Sequence, residues 1–170
     1  MENKFKYDAG LEWEYKSFME EYEKSGQMSP NKELDEKISY FLPHHAVRRK
    51  DSITTKLRAV FDGSCKPPYS NSLNSVLGVG QILQLDIFTL VRFRVNEIIC
   101  AFAADVKQMY RQILIDPDDQ NLQKIVWRKS LYSNIKEYKL STATYGTALA
   151  SFMATRCLHQ ISLDCEPQNP

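Results

Sequence analysis

Asp105 is the residue whose placement carries the clearest chemical implication. It ends the run EIICAFAAD (97–105), which is apolar for almost its whole length and stops abruptly at the acid. A near-continuous apolar run suits a strand buried on both faces. A carboxylate at the carboxyl end of such a strand stands where sheet proteins bind ligands and metals, and its charge needs a partner if it is buried. Taken alone, the same residue also fits a turn or helix-capping role after a strand. A second pointer is cationic. Residues 43–58 hold Arg48, Arg49, Lys50, Lys56 and Arg58 against Asp51, a balance of +4. A local basic stretch attracts phosphate, although a solvated hairpin face accounts for the same charges.

Other motifs fall away. Gly78-Val79-Gly80 opens like a dinucleotide loop, but Leu83 takes the third glycine position and no strand leads into it. There is no G-x-x-x-x-G-K-[ST], which excludes a P-loop. His44 and His45 are adjacent on a predicted strand, so they face opposite sides and cannot ligate one ion. Cys157, His159 and Cys165 lack the second ligand pair of a zinc site. Asp118 and Asp119 fall in the first turn of a predicted helix, where acids favour the helix dipole. No Ser, His and acid set has a recognisable elbow.

The elements that must position these residues follow from length and pattern. A chain of 170 residues suits one domain with a real core. Its 43% hydrophobic and 25% charged residues are ordinary for a globular protein. No apolar run approaches the ~18 residues of a membrane span, and MENKFKYDAG lacks the apolar core of a secretory signal. A reducing compartment is therefore expected, with the four scattered cysteines as thiols. Residues 1–23 hold seven acids against three lysines, a balance of −4. Leu11, Tyr15, Phe18, Met19 and Tyr22 recur at helical spacing, which predicts an amphipathic helix over 8–25 closed by Gly26. Residues 27–39 are polar, contain Pro30 and read as a connector. Residues 40–49 and 55–62 predict a hairpin with its basic side chains near the tip, followed by a loop over 63–72. A helix is expected over 82–94, strands over 97–105 and 110–115, and a short helix opened by Asp116-Pro117. A second hairpin pairs 124–128 with 135–140, and a last helix covers about 147–161. The mixed order makes the class α+β.

Four stretches stand in order along the chain: YFLPHHAVRRKDSITTKLRAVFDGS, SLNSVLGVG, ADVKQMYRQILIDPDD and TYGTALASFMATRCL. On these the chain resembles the reverse transcriptases of BEL/Pao long-terminal-repeat retrotransposons, over roughly residues 8–160. The resemblance implies a right hand of fingers and incomplete palm and the activity of an RNA-directed DNA polymerase. It implies an N-terminal helix and connector over 1–39, fingers over 40–96, a partial palm over 97–165 and a disordered tail over 166–170. Arg49 or Lys50 at the hairpin tip, and Arg58 on its second strand, would contact the incoming triphosphate. The choice between the first two stays open because the tip is longer than in retroviral relatives. Asp105 aligns with the first metal-binding, catalytic aspartate. Tyr110 aligns with the side chain that blocks the 2′-hydroxyl, and Tyr145 and Gly146 align with the segment packing against nucleotide and template. Implied partners are a template-primer and a deoxynucleoside triphosphate, with protease, RNase H and integrase fused in the full-length protein and no membrane. The implied location is a cytoplasmic virus-like particle.

Two departures qualify the resemblance. Relatives carry a Ser and a Pro after that glycine where this chain has Leu149 and Ser151, which is expected to loosen the turn into the last helix. Nucleotidyl transfer uses two Mg2+ ions about 3.5–4 Å apart. The family supplies further carboxylates for them from a Tyr-x-Asp-Asp hairpin, and no such sequence occurs in these 170 residues. The expectation is a polymerase fragment inactive as this chain. The alternatives are a non-catalytic nucleic-acid or nucleotide-binding remnant and a functionless transposon relic.

Overall fold

The computed structural model describes residues 1–32, 38–48, 57–83 and 104–165. A short helix, α1 (Glu2–Phe5), precedes the principal one, α2 (Ala9–Lys24). Asp8 caps α2 by accepting the Leu11 amide at 2.8 Å. The helix stops in a Schellman motif: Gly26, at φ +72°, donates to the Glu23 carbonyl and Gln27 donates to that of Tyr22. Tyr15, Met19 and Tyr22, on one face as their spacing predicts, are 0%, 0% and 3% exposed. Each such burial contributes on the order of 1.5–3 kcal/mol, so this face anchors the core.

Two antiparallel sheets receive it. One orders its strands β1 (Met28–Pro30), β5 (Lys136–Leu140) and β4 (Lys124–Trp127); the other pairs β2 (His44–Arg48) with β3 (Leu57–Phe61). Both predicted hairpins are present, with His44 opposite Phe61 and Ile125 opposite Tyr138. Strand β3 alternates strictly, sending Leu57, Ala59 and Phe61 into the core. A short helix α3 (Leu73–Val76) follows the loop after β3, and the last helix α4 runs from Ala150 to Cys165. The class is mixed α and β.

Three local expectations are corrected. The 27–39 connector contains β1, whose Pro30 is tolerated because β1 is an edge strand. Residues 110–115 are not a strand. Gln108 takes a left-handed conformation at φ +52°, and a 3-10 turn follows over Met109–Gln112. Only Leu114 makes a bridge, to Thr142, flanked by the bonds Ile115 N–H to Ser141 O and Ala143 N–H to Ile113 O. The helix after Asp116 is likewise a 3-10 turn, Asp119–Gln123, with the Asp116 carboxylate accepting the Asp118 amide at 2.9 Å. The hairpin tip, most of the 82–94 helix and all but the last two residues of the 97–105 strand lie outside the described residues.

Helix α2 reaches both sheets through a line of rings. Tyr15 meets Trp127 of β4 edge-on at 5.6 Å and stacks on His44 of β2 at 6.0 Å; Tyr22 meets Phe61 of β3 at 5.9 Å. His44 is held at both nitrogens. Its Nε2 faces the Val126 carbonyl at 3.0 Å, which can only accept, so Nε2 carries the hydrogen and Nδ1 accepts from the Tyr15 hydroxyl. Burial pushes the Tyr15 hydroxyl above its ordinary range.

Burial also holds the His44 imidazolium below the ordinary value of 6.5, partly opposed by the Val126 carbonyl and reinforced by the Met1 ammonium and His45. The unfolded chain therefore takes up the proton first as pH falls, so the stabilisation is complete above the unfolded value and is lost as pH drops through it towards the folded value. The expected result is a denaturation midpoint that falls between about pH 7 and pH 5, with the His44 ring titrating below 6.5 by NMR. A His44 ring titrating at or above its ordinary value would contradict this account.

Candidate functional site

A cleft of about 860 Å³ opens between α2, β3 and the 105–111 segment, with Ala143 and Tyr145 at its far side. Its described lining includes Phe18 and Tyr22 from α2, Arg58 and Phe61 from β3, and Asp105, Lys107, Tyr110 and Arg111. Four of the residues singled out from sequence thus meet in one place: Arg58, Asp105, Tyr110 and Tyr145. Arg49 and Lys50 lie outside the described residues.

Gly146 does not line the cleft but sets its wall. The Phe61 amide donates to the Tyr145 carbonyl at 3.2 Å, which docks residues 145–146 against the end of β3. At φ +106°, an added Cβ on Gly146 would sit 1.9 Å from the Phe61 carbonyl oxygen, so no other residue fits. Asn74 of α3 completes the junction. Its Nδ2 donates to the Gly146 carbonyl at 2.9 Å and to Ser64 Oγ at 2.8 Å, while its Oδ1 accepts the Ala148 amide at 2.8 Å. The loop after β3 is braced by Asp62, whose carboxylate accepts the Ser64 and Cys65 amides. Further along, Gly80 leaves no room for a Cβ beside the Phe152 ring, at 2.3 Å. The stretches SLNSVLGVG and TYGTALASFM therefore pack on each other.

Tyr110 and Tyr145 meet edge-on at 4.5 Å between ring centroids, and the Tyr110 hydroxyl lies 3.2 Å from Ser151 Oγ on α4. The next residue, Arg111, is clamped against α2: its guanidinium sits 5.1 Å from the Phe18 ring and 5.0 Å from the Tyr22 ring, with Glu21 at 3.4 Å. Leu149 and Ser151 do not leave the turn loose, because the Asn74 bond to Ala148 and the Ala150 amide bond to Thr147 order it.

The electrostatics revise the sequence reading of the basic stretch. Arg48 is committed to Asp8 at 2.7 Å and Glu14 at 2.8 Å, so it is not presented to phosphate. The Leu11 amide and the Arg48 guanidinium hold the Asp8 carboxyl below its ordinary value. In the cleft itself Arg58, Lys107 and Arg111 face one described acid, Asp105. Asp105 is exposed, so the cost of burying its charge does not arise. Among the described residues no three His, Cys, Asp or Glu side chains converge on a common point, and Cys157, His159 and Cys165 form no such group. Two Mg2+ ions held side by side need several bridging carboxylates. The described lining, with Asp105 as its one carboxylate, does not fit such a pair.

Sequence reasoning missed Lys107, Arg111, Phe18 and Tyr22 as cleft residues and Asn74 as the junction. The ring spacing on α2 marked Phe18 and Tyr22 as core-facing, which they also are. Nothing local distinguishes Arg111 or Asn74 from surface polar residues. A scan of known protein-family models matches none to this chain, and no curated protein matches it.

Gly146→Ala is expected to destabilise by at least about 3 kcal/mol, combining a strained φ with displacement of the Phe61 carbonyl. Gly26→Ala, also at positive φ but with nothing within 4 Å, is expected to cost about 1 kcal/mol. Denaturant titration compares them; equal costs would mean the Gly146 contact does not matter.

Proposed function

We propose that this chain is the fingers and partial palm of an RNA-directed DNA polymerase of the BEL/Pao retrotransposon type, and that its cleft takes the incoming deoxynucleoside triphosphate. The observation that carries this reading is the convergence of Arg58, Asp105, Tyr110 and Tyr145, from three separated stretches of chain, on one cleft. Nothing in the sequence spacing requires Arg58, the 105–110 segment and Tyr145 to meet.

Each side chain has a chemical task in this reading. Arg58 and Lys107 offset triphosphate charge, since fixed cations in a partly desolvated cleft stabilise phosphoryl oxygens far better than mobile ones in water. The Tyr110 ring forms a wall at the sugar, where one additional 2′-oxygen would collide with it. Tyr145 and Gly146 shape the floor against base and template. Among the described lining residues Asp105 is the one carboxylate available to metal binding. Chemistry in a complete enzyme requires further carboxylates beside it, with a template-primer as partner and protease, RNase H and integrase in the same polyprotein. A second reading, a nucleotide-binding module without chemistry, is favoured by that same solitary carboxylate.

Titration of the purified 170-residue chain with a fluorescent deoxynucleoside triphosphate tests both. Saturable, salt-sensitive binding is expected, weakened about fivefold or more by Arg58→Ala, the scale of one charge-assisted hydrogen bond. No template-dependent incorporation is expected from this chain. Absence of triphosphate binding, or binding indifferent to Arg58→Ala and Tyr110→Ala alike, would remove the basis of the proposal. Incorporation above background would remove the non-catalytic reading instead.

A further inference from the structure

Tyr110 is held at both ends. Its backbone end is held through Arg111, whose side chain is 14% exposed and lies between two α2 rings with Glu21 beside it. Its ring is braced on one side by Tyr145, edge-on at 4.5 Å. Its hydroxyl end meets Ser151 Oγ at 3.2 Å, across 41 residues of sequence. Ser151 lies in the first turn of α4, and α4 is tied to the rest of the site by the Asn74 bond to Ala148 just before it. The hydroxyl of Ser151, although exposed, is therefore carried by an element tied to Tyr145 and Gly146.

We infer that Ser151 is a positioning residue for substrate selection: its hydroxyl holds the Tyr110 ring at the angle that admits a deoxyribose and refuses a ribose. This rests on the reading of the cleft as a deoxynucleotide site. A steric wall rejects an extra oxygen only if it cannot swing aside. A tyrosine ring has two rotatable bonds, and the Tyr145 contact alone limits one side of its swing. A hydrogen bond at the far end of the ring removes the remaining freedom with the longest lever arm available. A hydrogen bond can be made there by a serine and cannot be made by a proline or an alanine. Ser151 touches no substrate; it acts through Tyr110.

The test is a double-mutant cycle read as a ratio of affinities. The chain, Ser151→Ala, Tyr110→Phe and the double variant are titrated with dATP and with ATP, each in the presence of Mg2+. The original chain is expected to prefer dATP. Ser151→Ala and Tyr110→Phe are each expected to reduce that preference by about threefold to tenfold, the worth of one hydrogen bond, chiefly by tightening ATP. The double variant is expected to go no further than either single one, because both remove the same bond. Ser151→Thr, which keeps a hydroxyl, is expected to retain the preference. If the original chain prefers dATP but Ser151→Ala leaves the ratio unchanged, or if the two single effects simply add, the inference fails while the nucleotide reading stands. If the original chain binds neither nucleotide, or binds both equally, the reading fails and this inference falls with it.

Discussion

The structure depends on one face of α2. Tyr15, Met19 and Tyr22 are the only long apolar side chains of that helix that are wholly enclosed among the described residues, and they touch both sheets. Among the described residues the two sheets are small, with two and three strands, and sheets of that size do not bury enough surface to persist alone. Packing them on a shared helix gives a single core that includes Leu57, Phe61, Ile125, Trp127 and Leu140. The same helix carries Phe18 and Tyr22 to the cleft, where they hold Arg111. Core and candidate site are thus mechanically continuous, and a loss of packing at α2 would be felt at Tyr110.

Charge distribution follows the same logic. The acidic first quarter of the chain pairs with cations from far along the chain: Glu2 with Arg128, Asp8 and Glu14 with Arg48, Glu21 with Arg111 and Glu23 with Lys129. Exposed pairs of this kind contribute little each, about 0–1 kcal/mol. Their consequence is spatial. They draw Arg48 and Lys129 toward the N-terminal helix, and among the described residues the cations lining the cleft are Arg58, Lys107 and the clamped Arg111. Of the cations counted over 43–58, Arg48 is thus paired with acids of the N-terminal segment and not presented to a phosphate.

The cleft wall is made by backbone as much as by side chains. The Phe61 amide on the Tyr145 carbonyl and the Asn74 side-chain amide on the Gly146 carbonyl lock three chain segments together, with Gly146 leaving room for the Phe61 carbonyl. This arrangement explains why a glycine, a small polar residue and a strand end recur as separate motifs along the chain. Each is needed where the other two arrive, and the combination leaves Tyr145 standing at the rim beside Tyr110.

Elements with a strong local period were legible from sequence alone: α2 from its 3.6-residue spacing, both hairpins from alternation and polar turns, and α4 to within a few residues. The fold class followed from their order. Residues 110–115 were misread because their apolar alternation matches a strand, while the left-handed Gln108 and the pull of Tyr145 and α2 make a 3-10 turn instead. The strand β1 was hidden because three residues with a proline carry almost no local signal, and its pairing with β5 comes from the far end of the chain. For the site, the sequence determined which residue types are present and their order along the chain: Arg58, Asp105, Tyr110, Tyr145 and Gly146. Only the tertiary structure decided that Arg58, Asp105, Tyr110 and Tyr145 share a cleft, that Arg48 is spent on Asp8 and Glu14, and that Ser151 reaches Tyr110. Local periodicity is written in neighbours a few residues apart. Those contacts join residues tens of positions apart, and their existence depends on how one helix packs two sheets together.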